Sequence, residues 1–335
     1  MAEVVLSNVS KSFGTTRAVS EVSLTIPDGA FVVLLGPTGA GKTTTLRLIA
    51  GLERPDAGDV RIAGMSVLGD MPAQRDVAMV FQQYSLYPHM TVRDNLAFPL
   101  RSPVLNWPED RIRARVAEVA ETLRIAHKLD NKATQLSGGE MQRVSIGRAL
   151  VRNPRIFLMD EPLSSLDAKL RADLRVELKR IHAELAATFL YVTHDQIEAM
   201  TMATHIGVLD GGRLVQFGPP REIYEDPVST YVATRLGQPR ITLLPADTFG
   251  PAPAGAMTIG LRPEQIETGE GHAARVRRVE HLGDQTRLHL TCLGHDIITL
   301  ADPHTPLAAG DSLLIRPKDP LWFDAGGNRI RGVTP

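Results

Sequence analysis

The 335-residue sequence predicts an α/β fold with a helical subdomain inserted in it, followed by a small all-β domain. Three observations carry that expectation. Short apolar runs, FVVLL at 31–35, IFLM at 156–159 and FLYV at 189–192, alternate with longer helical stretches, the pattern of a parallel sheet covered on both faces. Between about 88 and 153 the chain is mostly helical, as in RIRARVAEVAETLRIA at 111–126. After Gly237, a stretch rich in Pro, Gly and Ala gives way to short alternating runs with turn residues between them, which suggests a small barrel or sandwich. The expected domains are therefore 1–236, with its helical subdomain at about 88–153, and 237–335.

Composition narrows the function classes. Hydrophobic residues make up 43% and charged residues 22%, which suits a folded globular chain. A net charge of −1, from 37 basic and 38 acidic residues, gives no electrostatic reason to expect nucleic acid or a membrane surface as the main partner. The single cysteine, Cys292, excludes an intrachain disulfide and a Cys-based zinc cluster. No apolar run approaches the roughly 20 residues of a membrane span, and MAEVVLSNVSKSF has no signal pattern. The chain is expected to be soluble, with any membrane part of its work done by another chain.

The chemistry begins at GPTGAGKTT, residues 36–44, between a buried strand and the helix TTLRLIAGL. This is a phosphate loop: glycines let backbone N–H groups face phosphates, and the helix N-terminus adds positive potential. Gly36, Pro37, Thr38, Gly39, Ala40, Gly41, Lys42, Thr43 and Thr44 are its candidate residues, with Lys42 placed to reach the β- and γ-phosphates and the Thr43 hydroxyl to hold Mg²⁺. Gln82, just past a short strand in VFQQYSLYPH, is a candidate for Mg²⁺ or the lytic water. LSGGEMQR, 136–143, is a Gly-rich helix start, detached from the loop by 94 residues. IFLMDEP puts Asp160 and Glu161 where a buried strand reaches solvent, the former for Mg²⁺ and the latter to deprotonate a water; read alone, the pair also suits a helix cap. His194, ending FLYVTH, is placed to bond the γ-phosphate and orient Glu161. VLDGGRLVQFG, 208–218, reads as a hairpin.

The phosphate loop, Gln82, LSGGE, FLMDEP, SSLD at 164–167 and His194 occur in an order and spacing that resembles the ATP-binding-cassette (ABC) ATPases, over residues 3 to about 236. VFQQYSLYPHMTVRDNLAFPL, DEPLSSLDAKLR and THDQIEAM are similar to the ATPase subunits of carbohydrate importers, of the maltose and glycerol-3-phosphate type. The C-terminal domain, with GLRPEQI at 260–266, resembles that group's OB-like, TOBE-type regulatory domain. The resemblance implies an ATPase using ATP and Mg²⁺ as a homodimer. In it Ser137, Gly138 and Gly139 face the γ-phosphate held by Lys42 of a second copy, and Asp167 joins the nucleotide-binding set. That arrangement explains a detached anion-binding helix start. The resemblance also implies two membrane permease subunits, docking near Gln82 and Tyr84–His89 with Tyr84, Leu86, Tyr87 and Met90 as an apolar surface. An extracytoplasmic solute-binding protein, a cytosolic regulator at the C-terminal domain and a place on the cytoplasmic face of the membrane follow from it too. Two residues depart from the pattern: Glu140 stands where the family usually has Gln, and the adenine-stacking aromatic is Phe13 rather than Tyr or Trp.

A competing reading is a cassette ATPase acting on nucleic acid or ribosomes through the OB-like domain. Against it, residues 237–335 hold 10 Lys and Arg against 11 Asp and Glu, and a nucleic-acid surface should be basic. Five histidines lie in that region, His272, His281, His289, His295 and His304, at spacings that match no metal-ligand pattern.

Overall fold

The computed structural model describes residues 2–332, which divide between Pro220 and Arg221 into two compact units. In the first, β1 (Val4–Phe13) and β2 (Thr16–Ile26) form a hairpin. β3 (Phe31–Leu35) leads through the phosphate loop into α1 (Lys42–Ala50). Then come β4 (Ala57–Ile62), β5 (Met65–Ser66) and β6 (Val77–Val80). The helical insertion holds α2 (Val92–Ala97), α3 (Glu109–Thr122) and α4 (Gly138–Leu150). β7 (Ile156–Asp160), α5 (Ala168–Leu185), β8 (Thr188–Thr193), α6 (Gln196–Met202), β9 (His205–Asp210) and β10 (Arg213–Gly218) complete the unit.

The central sheet has six strands in the order β10-β9-β3-β8-β7-β6. All pairings are parallel except that of the edge strand β10. Every residue of β3, β7 and β8 is buried; both faces of these strands are covered, which is why they read as unbroken apolar runs. α1 stops at Gly51, whose φ of 78° lets its N–H reach back to the Arg47 and Leu48 carbonyls. The expected hairpin forms between β9 and β10, with Gly211 and Gly212 both at positive φ, as a two-residue turn requires.

A second sheet went unread in the sequence. It is antiparallel, in the order β2-β1-β4-β5. Val4, Leu6, Val9, Val22 and Val60 from it share one apolar core with Leu46 and Ile49 of α1 and Leu34 and Leu158 of the central sheet. Only one of its faces is buried, so its strands are interrupted by polar residues and bulges and lack the continuous apolar signal of β3.

The second unit carries α7 (Pro220–Glu225) and α8 (Thr230–Ala233), then eight strands. These are β11 (Thr242–Pro245), β12 (Thr258–Leu261), β13 (Ile266–His281), β14 (Thr286–Cys292), β15 (His295–Ala301), β16 (Ser312–Pro317), β17 (Leu321–Phe323) and β18 (Arg329–Ile330). They make two four-stranded sheets, β11-β12-β17-β18 and β15-β14-β13-β16. Their inward residues, among them Ile259, Leu261, Val276, Leu288, Leu290, Ile297 and Trp322, form one core that includes Cys292 as a buried apolar residue.

The composition change placed the domain boundary at 236/237, whereas the contacts place it before Arg221. Several ties join residues 221–236 to the strands that follow. The Thr230 N–H donates to the Gly327 carbonyl, the Arg329 N–H to the Val228 carbonyl, Asp226 pairs with Arg331, and Ala233 packs on Leu321 and Phe323. The most deeply buried charged tie is Arg262. Arg262, only 2% exposed, donates from Nε and Nη2 to the Tyr224 carbonyl at 3.2 and 2.7 Å and from Nη1 to the Leu236 carbonyl at 2.7 Å. Its guanidinium also stacks 3.6 Å from the centre of the Tyr224 ring, and the Tyr224 hydroxyl donates to Glu264 at 2.7 Å. Residues 221–236 are thereby fastened to the turn that follows β12. Arg262→Ala strands two buried carbonyls and is expected to cost the second unit about 3 kcal/mol. Amide hydrogen exchange of the intact chain checks this: protection in β12 and β13 should fall while that of β3 and β8 is kept.

Candidate active site

The loop between β3 and α1 is shaped by close backbone approaches. Gly41 has φ 93°, and a Cβ there would lie 2.3 Å from the Ala18 carbonyl; at Gly36 it would lie 2.6 Å from that of Leu209. Only glycine fits either position. The curl of the loop wraps the buried Lys42 side chain, whose Nζ donates to the Gly36 carbonyl at 2.9 Å and the Pro37 carbonyl at 3.0 Å. Nζ also stands 3.7 Å from the Glu161 carboxylate. Burial pulls the Lys42 pKa down, against the opposing influence of Glu161 and Asp160.

Thr43, in the first turn of α1, donates its hydroxyl to Asp160 Oδ1 at 2.8 Å. Two of the three expected metal residues are thus in contact across 117 positions of sequence. Burial raises the Asp160 pKa, and the Thr43 hydrogen bond offsets part of that. A hydroxyl beside a carboxylate is the hard-oxygen donor set that Mg²⁺ accepts alongside phosphate and water. Among the described residues no group of three or more His, Cys, Asp and Glu side chains is arranged to hold a metal alone.

Glu161 follows β7 with φ 44°, a left-handed conformation that is strained for a side-chain-bearing residue. Its N–H bonds the Val192 carbonyl at 3.0 Å and its own carbonyl accepts the Ser164 hydroxyl at 2.9 Å, which hold the turn. His194, just past β8, places Nδ1 3.1 Å from Glu161 Oε2. Lys42, Thr43, Asp160, Glu161 and His194 therefore meet at the C-terminal ends of β3, β7 and β8. Gln82, two residues past β6, joins this edge less directly: its Nε2 lies 3.5 Å from the Ser164 hydroxyl.

The remaining candidates are placed elsewhere. Phe13 ends β1 and is half exposed, with Lys11 Nζ 5.4 Å from its ring centre. Ser137 caps α4 and Asp167 caps α5, where it accepts the Leu170 N–H at 3.0 Å. Among the described residues no hydrogen bond or ion pair joins Ser137 or Asp167 to the group around Lys42. Gly138 and Gly139 are set by packing: a Cβ at Gly138 would lie 3.2 Å from the Tyr84 hydroxyl, and one at Gly139 2.4 Å from a Leu170 methyl. Tyr84 in turn hydrogen-bonds Ser165 at 3.3 Å.

Sequence reasoning used Ser164 and Ser165 only as part of the SSLD motif and missed that they connect Gln82 and Tyr84 to the acidic turn. It also missed Glu198. This buried carboxylate accepts from the Tyr191 hydroxyl at 2.9 Å and the Thr193 hydroxyl at 2.6 Å, bracing the end of β8 next to His194.

Residues 19–164 match the ABC transporter family and residues 259–323 the TOBE domain. The sn-glycerol-3-phosphate import ATP-binding protein UgpC of Rhizobium meliloti (strain 1021) is 45% identical over 98% of this chain and 100% of its own length. The chain belongs to the ATP-binding proteins of ABC transporters. A UgpC of Brucella abortus (strain 2308) is 48% identical over 86% of this chain and 87% of its own. Among solved structures, the post-hydrolysis dimer of the cassette MJ0796 bound to ADP and Pi is 32% identical, with TM-score 0.58, covering 65% of this chain and 99% of that one. The ADP conformation of the cassette MJ1267 is 28% identical, with TM-score 0.61, covering 69% and 98%. As an ABC ATPase the chain binds ATP and hydrolyses it to ADP and phosphate. No described helix is long and apolar enough to cross a membrane.

Two predictions follow from this geometry. Gly139→Ala drives a methyl into Leu170 and is expected to cost about 1–3 kcal/mol; Gly139→Ala combined with Leu170→Ala should recover part of the loss in urea unfolding. Burial raises the Glu198 pKa, so its ionised form costs folded-state stability, and the cost sets in as pH rises from about 4.3 through the raised value. Glu198→Gln keeps an acceptor for both hydroxyls. Its stability relative to the parent chain should therefore improve between pH 4 and pH 8, read from urea midpoints at each pH.

Proposed function

We propose that this chain energises the import of a glycerol phosphate, or of a related sugar or polyol, through two separate permease subunits, from the cytoplasmic face of the membrane. The observation that carries the reading is similarity across both units, at 44–45% identity over 97–98% of the chain, to sn-glycerol-3-phosphate import ATP-binding proteins. In this reading Gly36–Thr44 cradle the phosphates of ATP and Lys42 Nζ leaves the Gly36 and Pro37 carbonyls for the β- and γ-phosphates. Thr43, Asp160 and Gln82 would hold Mg²⁺, which when bound neutralises charge on the phosphates. Glu161 takes the proton of the attacking water, and His194 keeps its carboxylate aimed. Ser137, Gly138, Gly139 and Asp167 serve the nucleotide of a second copy, a reading supported by dimeric structures of similar cassettes. Phe13 lies against the adenine.

A cavity of about 230 Å³ supports the permease contact. It is lined by Phe81, Tyr84, Ser85, Phe98, Arg148 and Arg152 among others. Phe81, Tyr87 and Phe98 are unusually open for aromatic residues, at 40, 37 and 42% exposed. Tyr87 packs on Phe98 with ring centres 4.6 Å apart, and the Arg148 guanidinium lies 4.9 Å from the Tyr87 ring. Of the four expected docking residues, Tyr84 lines the cavity, Tyr87 lies beside it, and Leu86 and Met90 are half buried. An extracytoplasmic binding protein would supply the solute, and the TOBE-type unit would receive a cytosolic regulator. The nucleic-acid reading is set aside because the relatives matched over the whole chain are importer subunits.

Affinity capture of the tagged chain from gently solubilised membranes tests the assignment: two multi-span permeases per two copies are expected, and nucleic acid or ribosomal protein without permease overturns it. Glu161→Gln is expected to keep ATP binding, lower turnover about a hundredfold or more and accumulate an ATP-dependent dimer in sedimentation velocity. Turnover at the parent rate removes the base assignment. Ser137→Arg should bind ATP yet not turn over; normal turnover by that variant removes the composite site.

A further inference from the structure

The reaction described above leaves Glu140 without a task. Its Oε2 accepts the Ser137 N–H at 2.8 Å and the Ser137 hydroxyl at 2.9 Å, while the Ser137 oxygen accepts the Glu140 N–H at 3.4 Å. Its other oxygen, Oε1, lies 3.2 Å from Lys128 Nζ, which reaches across from the turns after α3. Both side chains are largely covered, at 24 and 29% exposed. The Ser137 amide, then its hydroxyl and Lys128, hold the Glu140 carboxyl below the usual carboxylate range, so the group is an anion at neutral pH.

We propose, resting on the composite-site reading, that Glu140 is a positioning residue that latches Ser137. It keeps the Ser137 hydroxyl donating its hydrogen bond to the Glu140 carboxylate until the γ-phosphate of the second copy's nucleotide accepts that bond instead, and so raises the ATP concentration at which two copies close. A serine hydroxyl has one proton and donates to one acceptor at a time. In the structure that donation goes to Glu140, so phosphate can receive it only by breaking the Ser137–Glu140 bond. That bond is charge-assisted, roughly twice as strong as its neutral equivalent. A glutamine at 140 presents a neutral carbonyl to the same two donors: the cap survives and the latch weakens. Lys128 works in the opposite sense, because it offsets the carboxylate charge at a place where an anion must approach.

The test uses the full chain carrying Glu161→Gln, with Mg²⁺ and ATP, and reads the ATP concentration for half-maximal dimer by sedimentation. Glu140→Gln is expected to lower it about fivefold, the effect of weakening one charge-assisted hydrogen bond. Lys128→Met should raise it by a similar factor. On a Ser137→Ala background the Glu140→Gln shift should shrink to less than about twofold, because the two residues act through one bond. Thermal melts of Glu140→Gln and Lys128→Met confirm that the cap and the fold are retained. If Ser137→Ala by itself changes neither dimer formation nor the turnover of the otherwise unaltered chain, the composite-site reading fails and the latch with it. If Ser137→Ala weakens closure but Glu140→Gln leaves the ATP requirement unchanged, or shifts it equally with and without the hydroxyl, the latch is overturned and the composite site stands.

Discussion

The parallel register of β3, β8 and β7 is the constraint on which the rest of the first unit depends. Leu35 pairs with Thr193, and Asp160 pairs with Val192, so the three strands end together. From those ends the chain delivers Lys42 and Thr43, then Asp160 and Glu161, then His194. Side chains alternate along a strand, and a slip of one residue would turn each to the opposite face. All three strands are buried on both faces, so a slip would have to repack the layers on both sides at once. The burial that fixes the register also sets the charges: it pushes Lys42 toward its neutral form and Asp160 toward its protonated form. Each group is then held by what the fold supplies, two loop carbonyls for the lysine and one hydroxyl for the aspartate. A site built in this way favours whatever restores the missing solvation, and a phosphate with its cation does so for both groups at once.

The second anion-binding helix start obeys a different constraint. Gly138 and Gly139 look like phosphate glycines in sequence, yet the space beside each is taken by Tyr84 and Leu170. Close packing, tighter at Gly139 than at Gly138, ties the start of α4 to the start of α5 and to the loop that carries Gln82. Arg143 of α4 reinforces the tie through an ion pair with Glu177 of α5. The acidic turn after β7 and the helical insertion are thereby joined by contacts already in place: Gln82 to Ser164, Tyr84 to Ser165, and Gly139 against Leu170. Those contacts lie beside the cavity at Tyr84 and Ser85, which gives the nucleotide site and the surface proposed for the permease a continuous physical connection.

Much of this was legible in the sequence because it rests on strong local signals. The doubly buried strands, the phosphate loop, the acidic strand end and the Gly-Gly hairpin each need particular residues at particular spacings. The antiparallel sheet of β1, β2, β4 and β5 was not legible, since its half-buried, bulged strands carry no continuous apolar pattern. Nor were the contacts of Ser164, Ser165 and Glu198, which depend on what lies across from them in space. Glu140 was visible as a departure, but its bonds to Ser137 and Lys128 belong to the fold and not to the motif.

The boundary between the units makes the same point from the opposite direction. Composition marks the change at Gly237, where Pro, Gly and Ala become frequent; the contacts mark it before Arg221. Composition reports where the chain is locally suited to turns, and compactness reports where its buried donors find acceptors. Here a buried guanidinium acts alongside backbone bonds from Thr230 and Arg329 and the packing of Ala233. Arg262 spends three N–H groups on the carbonyls of Tyr224 and Leu236 while its flat face covers the Tyr224 ring. Lysine could not replace it, because an ammonium on a flexible stem offers neither the fixed fork nor the flat face. A buried arginine costs a great deal unless it is fully bonded, so residues 221–236 must stay docked for Arg262 to remain inside. The segment between the last strand of the central sheet and the first strand of the C-terminal unit is therefore a structural part of the latter, and a truncation made at the compositional boundary would remove carbonyls on which the C-terminal core relies.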